Sequence, residues 1–285
     1  MPRKRFDPII VVNNDGLKLP DPVGAWSEKK YELVGGYCDI FNDGIKNKFK
    51  NRVYIDLFAG AGFAPIKGKN KILKTSALIA LSIPNPFTKY IFCEMDQEKI
   101  DTLEKRARKE FPDTDMTFIC GDSNKTVELV INEVKKLGLS TISFCFVDPF
   151  SLNLHFETIE KLSQLGRIDF LILLALMMNA KRNLHNFIEE ESKTIDLYIK
   201  KSDWREPFLK GEARKEDFIK FLADTYDQNM KSLGYLVKNE GLKPKVDADE
   251  FNLSLYYLAF YSKHNLGNKF FADIQKYRLP QQKLF

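Results

Sequence analysis

The chain has 285 residues, is 44% hydrophobic and 29% charged, and carries 44 Lys and Arg against 39 Asp and Glu, a net charge of +5. This composition excludes a disordered or fibrous chain, and so small an excess of positive charge does not by itself mark a nucleic-acid binder. The length allows one large domain or two small ones. The longest apolar run, Phe170 to Met178, falls short of the roughly 18 residues of a membrane-span candidate, so no membrane association is expected. The first eight residues lack the apolar stretch of a secretory leader. Cys38, Cys93, Cys120 and Cys145 stand apart with no Cys-x-x-Cys pair, so neither a disulfide framework nor a cysteine zinc site is expected, and a cytoplasmic location is. His155, His185 and His264 have no partner at ligand spacing, and no metal is expected; His155 suits a helix start.

In chain order, residues 1–50 read as an N-terminal extension with a helix expected over Ser27 to Phe41. Val53 to Phe58 is a short apolar run ending in Ala59-Gly60-Ala61-Gly62, a strand feeding a glycine turn. Tyr90 to Cys93 is a second strand, closed by Glu94-Met95-Asp96. Ile100, Leu103, Ala107 and Phe111 then recur at helical spacing until Pro112. Met116 to Cys120 is a third strand, ending at Gly121-Asp122. Ser123 or Asn124 can cap the following helix, whose apolar face is Val127, Val130, Ile131, Val134 and Leu137 and which Gly138 closes. Ile142 to Val147 is a fourth strand, ending at Asp148-Pro149-Phe150, and Ile168 to Met177 a fifth. Gly234 to Val237 and Leu255 to Ser262 are two more, joined by a polar loop holding Pro244 and suited to an antiparallel edge pair. Cys93, Cys120 and Cys145 fall on buried strands and read as small core residues, and the aromatic run Phe251 to Tyr261 reads as an edge strand facing a core.

Continuous apolar strands alternating with helices argue for an α/β fold with a mostly parallel sheet, an antiparallel edge pair and a helical insertion. The expected organisation is an α/β domain of residues 51–178 and 232–285, with residues 179–231 as an insertion serving recognition or oligomerisation. Each glycine or acidic motif lies at the carboxyl end of a strand, where open α/β sheets bind ligands.

A glycine turn after a first strand lets a cofactor approach the backbone. A dinucleotide fingerprint needs a third glycine three residues past Gly62 and an acid about 20 residues on; Pro65 stands at the first position and Glu94 lies too far along. The run from Asp56 through Phe58 and Gly60 to Gly62 instead resembles the first motif of class I S-adenosylmethionine methyltransferases. The resemblance implies S-adenosyl-L-methionine as cofactor, with Asp56, Phe58, Gly60 and Gly62 around its methionine part, Glu94 on the ribose hydroxyls and Asp122 near the adenine. A vicinal diol wants a carboxylate acceptor and an amine wants one acceptor, so the residue types suit these roles. The plainer reading is a strand-to-helix turn flanked by solvated carboxylates.

Asp148-Pro149-Phe150 resembles a shortened Asp-Pro-Pro-Tyr/Phe motif of amino-methyltransferases, with one proline fewer. It implies that Asp148 and the Pro149 carbonyl hold an exocyclic amine while Phe150 stacks on the base; the plainer reading is a polar strand end with a proline turn. From Lys46 to Lys74 there are eight Lys and Arg and one acid, so this segment carries +7 and the remaining chain −2. Lys67, Lys69, Lys71 and Lys74 are therefore candidate nucleic-acid contacts, with a solvated loop as the alternative.

More widely, Tyr54 to Gly62, Ser76 to Leu81, Phe92 to Asp96, Gly121 to Asn124, Phe146 to Phe150, Ile168 to Ile172 and Tyr256 to His264 with Gly267 resemble the three-Cys-motif partner proteins, with departures at Thr75 and Ser151. That resemblance implies a Rossmann-like class I methyltransferase fold and a three-cysteine, radical-S-adenosylmethionine-type protein as partner. Two functions follow as expectations. One is an S-adenosylmethionine-dependent methyltransferase acting on an exocyclic amine of a DNA or RNA base. The alternative is a cofactor-binding or interaction module with little turnover of its own, docking its partner through residues 179–231. Methylation of a small molecule or protein is a third expectation.

Overall fold

Strands that are apolar at every position need cover on both faces, and the central sheet receives it. The computed structural model describes residues 6–176, 187–188, 192–210, 217–237, 245–248 and 253–278. The N-terminal part holds β1 (Val11–Val12) and α1 (Ser27–Ile45). There follow β2 (Asn51–Asp56), β3 (Phe63–Pro65), β4 (Ile72–Lys74), α2 (Ser76–Leu81), β5 (Lys89–Glu94), α3 (Gln97–Glu110) and β6 (Met116–Cys120). Next come α4 (Ser123–Lys135), β7 (Thr141–Val147), α5 (Phe156–Ser163) and β8 (Ile168–Leu174). The C-terminal part holds α6 (Thr194–Ile199), α7 (Glu206–Leu209), α8 (Phe218–Ser232), β9 (Lys245–Ala248), β10 (Leu253–Tyr261) and α9 (Asn265–Arg278).

Seven strands form one sheet in the order β6-β5-β2-β7-β8-β10-β9. The first five are parallel, and β10 runs antiparallel to both β8 and β9. This is the expected Rossmann-like α/β sheet, mostly parallel, with its antiparallel pair at one end. The period of two along each strand separates two cores. Val53, Ile55, Cys145, Val147, Phe170 and Ile172 face one side, under α4, α5 and α6 to α8. Tyr54, Phe92, Phe144, Phe146, Leu171 and Leu173 face the other, under α1, α2, α3 and α9. On that second side the Tyr37 ring of α1 sits 4.7 Å from Phe144 and 4.8 Å from Phe260, so the N-terminal helix is part of the core. Trp204, Phe218, Leu222 and Tyr226, from within residues 179–231, are buried in the first core.

Several sequence expectations are corrected. Gly234 to Val237 is no strand, because Leu236 makes a single antiparallel bridge to Ser262. The partner of β10 is β9, from the stretch read as a polar loop; Lys245-Val-Asp-Ala248 is too polar to read as a strand, which an edge position tolerates. The aromatic run is not at the edge, since β10 lies between β8 and β9. Cys120 is exposed, because it ends the edge strand β6, whereas Cys93 and Cys145 are buried on central strands. Met177, Met178, His185, Pro244 and Phe251 lie outside the described residues. No helix among the described residues is long and apolar enough to cross a membrane.

The segment ahead of α1 straps onto the glycine turn. β1 pairs with β4 and β4 with β3, a small sheet beside the turn. The buried Arg106 guanidinium donates to both Asp15 oxygens at 2.8 Å and to the Ala61 carbonyl at 2.6 Å, and lies 4.3 Å from the Phe63 ring centroid. Arg106 also holds the Asp15 carboxyl below its ordinary range. Asp15→Ala leaves that guanidinium buried without its bidentate partner, and is expected to lower stability by about 2–4 kcal/mol. The urea midpoint measures this, and an unchanged midpoint would show the strap to be dispensable.

Candidate functional site

The site is assembled at the carboxyl edge of the parallel strands, from the last residue of β2 outward. Asp56 has no exposed surface. Its carboxylate accepts from Ser76 Oγ at 2.6 Å, Tyr54 Oη at 3.1 Å and the Phe58 N–H at 3.2 Å. Burial pushes its pKa from the usual 3.8 to about 7, against the pull of the Ser76 and Phe58 hydrogen bonds. Enclosed in this way, Asp56 braces the turn from beneath and joins β2 to α2; it is not the cofactor contact expected from the motif. Phe58 is half-buried, its ring against the aliphatic core.

The two glycines do different work. Gly62, at φ +86°, has no room: a Cβ there would meet Leu78 Cδ1 at 2.9 Å and Leu103 Cδ1 at 3.0 Å. Gly60, at φ +63°, has open space, since a Cβ there would meet nothing within 4 Å. Its N–H donates to Glu94 Oε2 at 3.0 Å, while Glu94 Oε1 accepts the Asp96 N–H at 3.1 Å. A carboxylate offers about four acceptor positions, so Glu94 keeps acceptor capacity beside the space over Gly60.

Backbone hydrogen bonds lock neighbouring loops together. The Ala59 N–H reaches the Cys93 carbonyl at 2.9 Å, the Leu57 N–H the Phe146 carbonyl at 3.2 Å, and the Gly121 N–H the Glu94 carbonyl at 3.0 Å. Ser123 Oγ donates to the Leu57 carbonyl at 2.6 Å. The cap of α4 is Asp122, one residue before the two candidates, with Oδ1 accepting the Asn124 N–H at 2.9 Å. Asn124 instead ties this loop to the one after β7, donating to the Asn153 carbonyl and accepting from the His155 N–H and Thr158 Oγ1. His155 stands at the start of α5, though its side chain does not cap it.

Asp148 is not a solitary carboxylate. Its Oδ2 accepts from Lys30 Nζ at 2.5 Å, and the lysine side chain is only 5% exposed. The ammonium also lies 4.9 Å from the Trp26 ring centroid and 5.0 Å from that of Tyr31, so aromatic faces help to hold a cation taken from water. Sequence reasoning assigns no role to Lys30, and none in the site to Ser76 or to Ser123, which reads only as a helix cap. A signal for Lys30 does exist: it continues the stripe of Val34, Tyr37 and Phe41 on α1, and a lysine on an apolar stripe demands a buried partner. Pro149 is buried and Phe150 is 91% exposed, its ring open to solvent.

The lysine cluster is corrected in part. Lys74 is buried, paired with Glu110, and lies 5.5 Å from the Phe111 ring centroid, so it is removed from any nucleic-acid face. Lys69 and Lys71 meet Glu28 of α1 at 3.5 and 3.2 Å, an acid from outside the basic segment. Lys67 is exposed at the turn between β3 and β4. Among the described residues no cluster of His, Cys, Asp and Glu is placed to hold a metal ion.

No family model matches the chain, and no curated protein sequence matches it. Among solved structures, a Legionella pneumophila protein of the DUF519 family is similar at TM-score 0.50 and 8% identity, over 88% of this chain and 93% of that one. TYW2 of M. jannaschii, solved with AdoMet, is similar at TM-score 0.40 and 11% identity, over 90% and 86% of the two chains. Trm1 of Pyrococcus horikoshii, solved with S-adenosyl-L-methionine, is similar at TM-score 0.40 and 11% identity, over 91% and 63%. The first likeness is one of fold alone, and the other two bear on no point of chemistry.

The contrast between the glycines is measurable. Gly62→Ala combines a left-handed backbone with overlap against two leucines and is expected to cost about 2–4 kcal/mol, Gly60→Ala only about 1–2 kcal/mol; equal losses in chemical denaturation would contradict the packing. Asp56 adds a pH signature. Its folded-state pKa lies above the unfolded one, so the native state binds the proton more tightly and stability falls as pH rises from about 4 to about 7. Asp56→Asn is expected to flatten that fall in urea titrations across the range.

Proposed function

We propose that the protein is an S-adenosylmethionine-dependent methyltransferase whose acceptor is an exocyclic amine of a nucleic-acid base. The observation that carries this reading is the open space over Gly60, bordered by the residual acceptor capacity of Glu94 at the carboxyl edge of the sheet. The residues fit the cofactor: Gly60 presents backbone with no side chain in the way, Glu94 suits a ribose diol, and Asp122 Oδ2 suits an adenine amine. S-adenosylmethionine supplies an already activated methyl group, so the protein's task is placement more than acid–base chemistry. Asp148 Oδ1 and the Pro149 carbonyl are the acceptors left for an amine, because Lys30 engages Asp148 Oδ2. Phe150, exposed beside them, is available to stack on a planar base.

The Lys30–Asp148 pair favours a second reading as well. A carboxylate committed to a buried ammonium is less free to orient an acceptor. This suits a cofactor-binding module that works with a radical-S-adenosylmethionine-type protein, as the resemblance to three-Cys-motif partner proteins implies.

Calorimetry with S-adenosylhomocysteine is expected to show binding that Glu94→Ala weakens at least about tenfold, the scale of lost charge-assisted hydrogen bonds, and that Asp148→Ala leaves intact. With labelled S-adenosylmethionine and mixed DNA and RNA, the wild type is expected to label nucleic acid and Asp148→Ala not to. Binding without label would favour the module; no binding at millimolar concentration would end both readings.

A further inference from the structure

The opposite edge of the sheet has its own opening. A cavity of about 350 Å³ lies where the first residues of β7 and β8 meet the end of β10, the last turn of α1 and the first turn of α9. Ile142 lines it and Asp148 lies six residues further along, ~20 Å at a strand rise of about 3.3 Å per residue, so this cavity and the candidate methyl-transfer site are separate. The volume falls within the usual range for small-ligand pockets.

The walls are apolar and aromatic, with Phe41, Phe49, Ile142 and Phe270 among them. Asp169 lines the cavity, a nine-tenths buried carboxylate that accepts from Tyr37 Oη at 2.7 Å and from the Ser262 hydroxyl. Burial pushes this carboxyl up to about 6 against the pull of the Ser262 and Tyr37 hydrogen bonds, and a carboxylate with two donors keeps acceptor positions for a third. Gly267 is what allows α9 to close beside it: a Cβ there would stand 2.5 Å from Ser262 Oγ and 2.7 Å from Asp169 Oδ2. Lys48, Arg167 and Lys263 also line the cavity, and none is in an ion pair with a carboxylate among the described residues. Arg167 lies over the Phe49 ring at 5.7 Å and donates to the Leu139 carbonyl at 2.8 Å, while Lys263 donates to the Ser163 carbonyl at 3.2 Å and lies 4.9 Å from the Tyr235 ring centroid. Neutral carbonyls leave both charges uncompensated, and partial desolvation lowers the pKa of Lys263, which an arriving anion would reverse. The complementary ligand is flat and apolar in its middle, anionic at the outer end, and a hydrogen-bond donor at the inner tip.

We propose that this cavity binds a nucleoside monophosphate bearing an exocyclic amine, with the amine on Asp169, the base along the Phe49 and Phe270 walls and the phosphate on Lys48, Arg167 and Lys263. The nucleotide can be free in solution or one unit of a single strand, and the same chemistry serves both.

The test is calorimetry on the full chain with AMP, CMP, UMP, adenosine, benzoate, inorganic phosphate and a short single-stranded oligoadenylate. AMP and CMP are expected to bind, with UMP, lacking the amine, weaker by about tenfold or more. Adenosine, benzoate and phosphate, each lacking part of the ligand, are expected to bind more weakly still. Lys48→Ala and Lys263→Ala, both on the exposed rim, are each expected to weaken AMP several-fold, and added salt to weaken it further. Asp169→Asn is expected to erase the preference for CMP over UMP; should that variant not fold, the two rim variants carry the test. Prior saturation with S-adenosylhomocysteine is expected to leave the AMP titration unchanged. Oligoadenylate binding that Lys48→Ala weakens assigns the strand as source, and its failure to bind assigns the free nucleotide. Absence of nucleotide binding at millimolar concentration, equal affinity for UMP and CMP, benzoate binding as tightly as AMP, indifference to the rim variants, or competition by S-adenosylhomocysteine would each overturn the proposal. The methyltransferase reading stands or falls on its own titration, so the two failures are distinguishable.

Discussion

A carboxylate with no exposed surface must find its donors inside the protein, and the candidate site is arranged by how Asp56 meets that demand. Its three donors are the hydroxyl of Tyr54 on the same strand, the N–H of Phe58 in the turn and the hydroxyl of Ser76 at the start of α2. Satisfying one buried group therefore sets where the chain leaves the sheet, how it bends and where the next helix begins. The open backbone at Gly60 and the carboxylate of Glu94 inherit their positions from that anchor. An unsatisfied Asp56 would cost stability and would also release the geometry on which any cofactor chemistry depends.

Long-range ion pairs extend the same logic to the segment before β2. Asp15 meets Arg106, Lys30 meets Asp148, and Glu28 meets Lys69 and Lys71. Each pair joins this segment to a loop or helix flanking the carboxyl edge of the sheet. Two of the cations, Lys30 and Arg106, are almost wholly buried, and in a medium of low dielectric a lost partner leaves a charge with no water to replace it. The segment thus sets the electrostatics of the candidate site as well as covering it, because Lys30 engages one oxygen of Asp148 and leaves the other.

Covering both faces of the sheet leaves its two ends as the places for converging polar groups. At the carboxyl edge, loops after four parallel strands bring together acids, backbone donors and glycine. At the amino edge, β8 and β10 run antiparallel, so Asp169 at the start of one lies near Ser262 beyond the end of the other. Aromatic walls and cations from α1, the β8 entry and α9 complete a second polar opening. One sheet topology accounts for both.

Much of this frame is local in sequence and so could be read from it. The apolar runs of β2, β5, β6, β7 and β8, the buried face of α4 and the left-handed glycines at 60, 62 and 138 follow from short periodicities and from the conformations only glycine adopts readily. The strands β1, β3 and β4, of two or three residues each, are too short to carry a period, and β9 is too polar to resemble one. The sequence placed Asp148 at a strand end; that its partner is Lys30, 118 residues away, depends on how α1 crosses the aromatic face. It counted Lys74 among free charges, whereas the fold buries it at the end of β4 beside Glu110 at the end of α3. Pattern reports which residues leave water, since burial repeats with the period of a helix or strand. It cannot report which charge meets which, because that is decided by sheet order and by the faces on which distant helices settle.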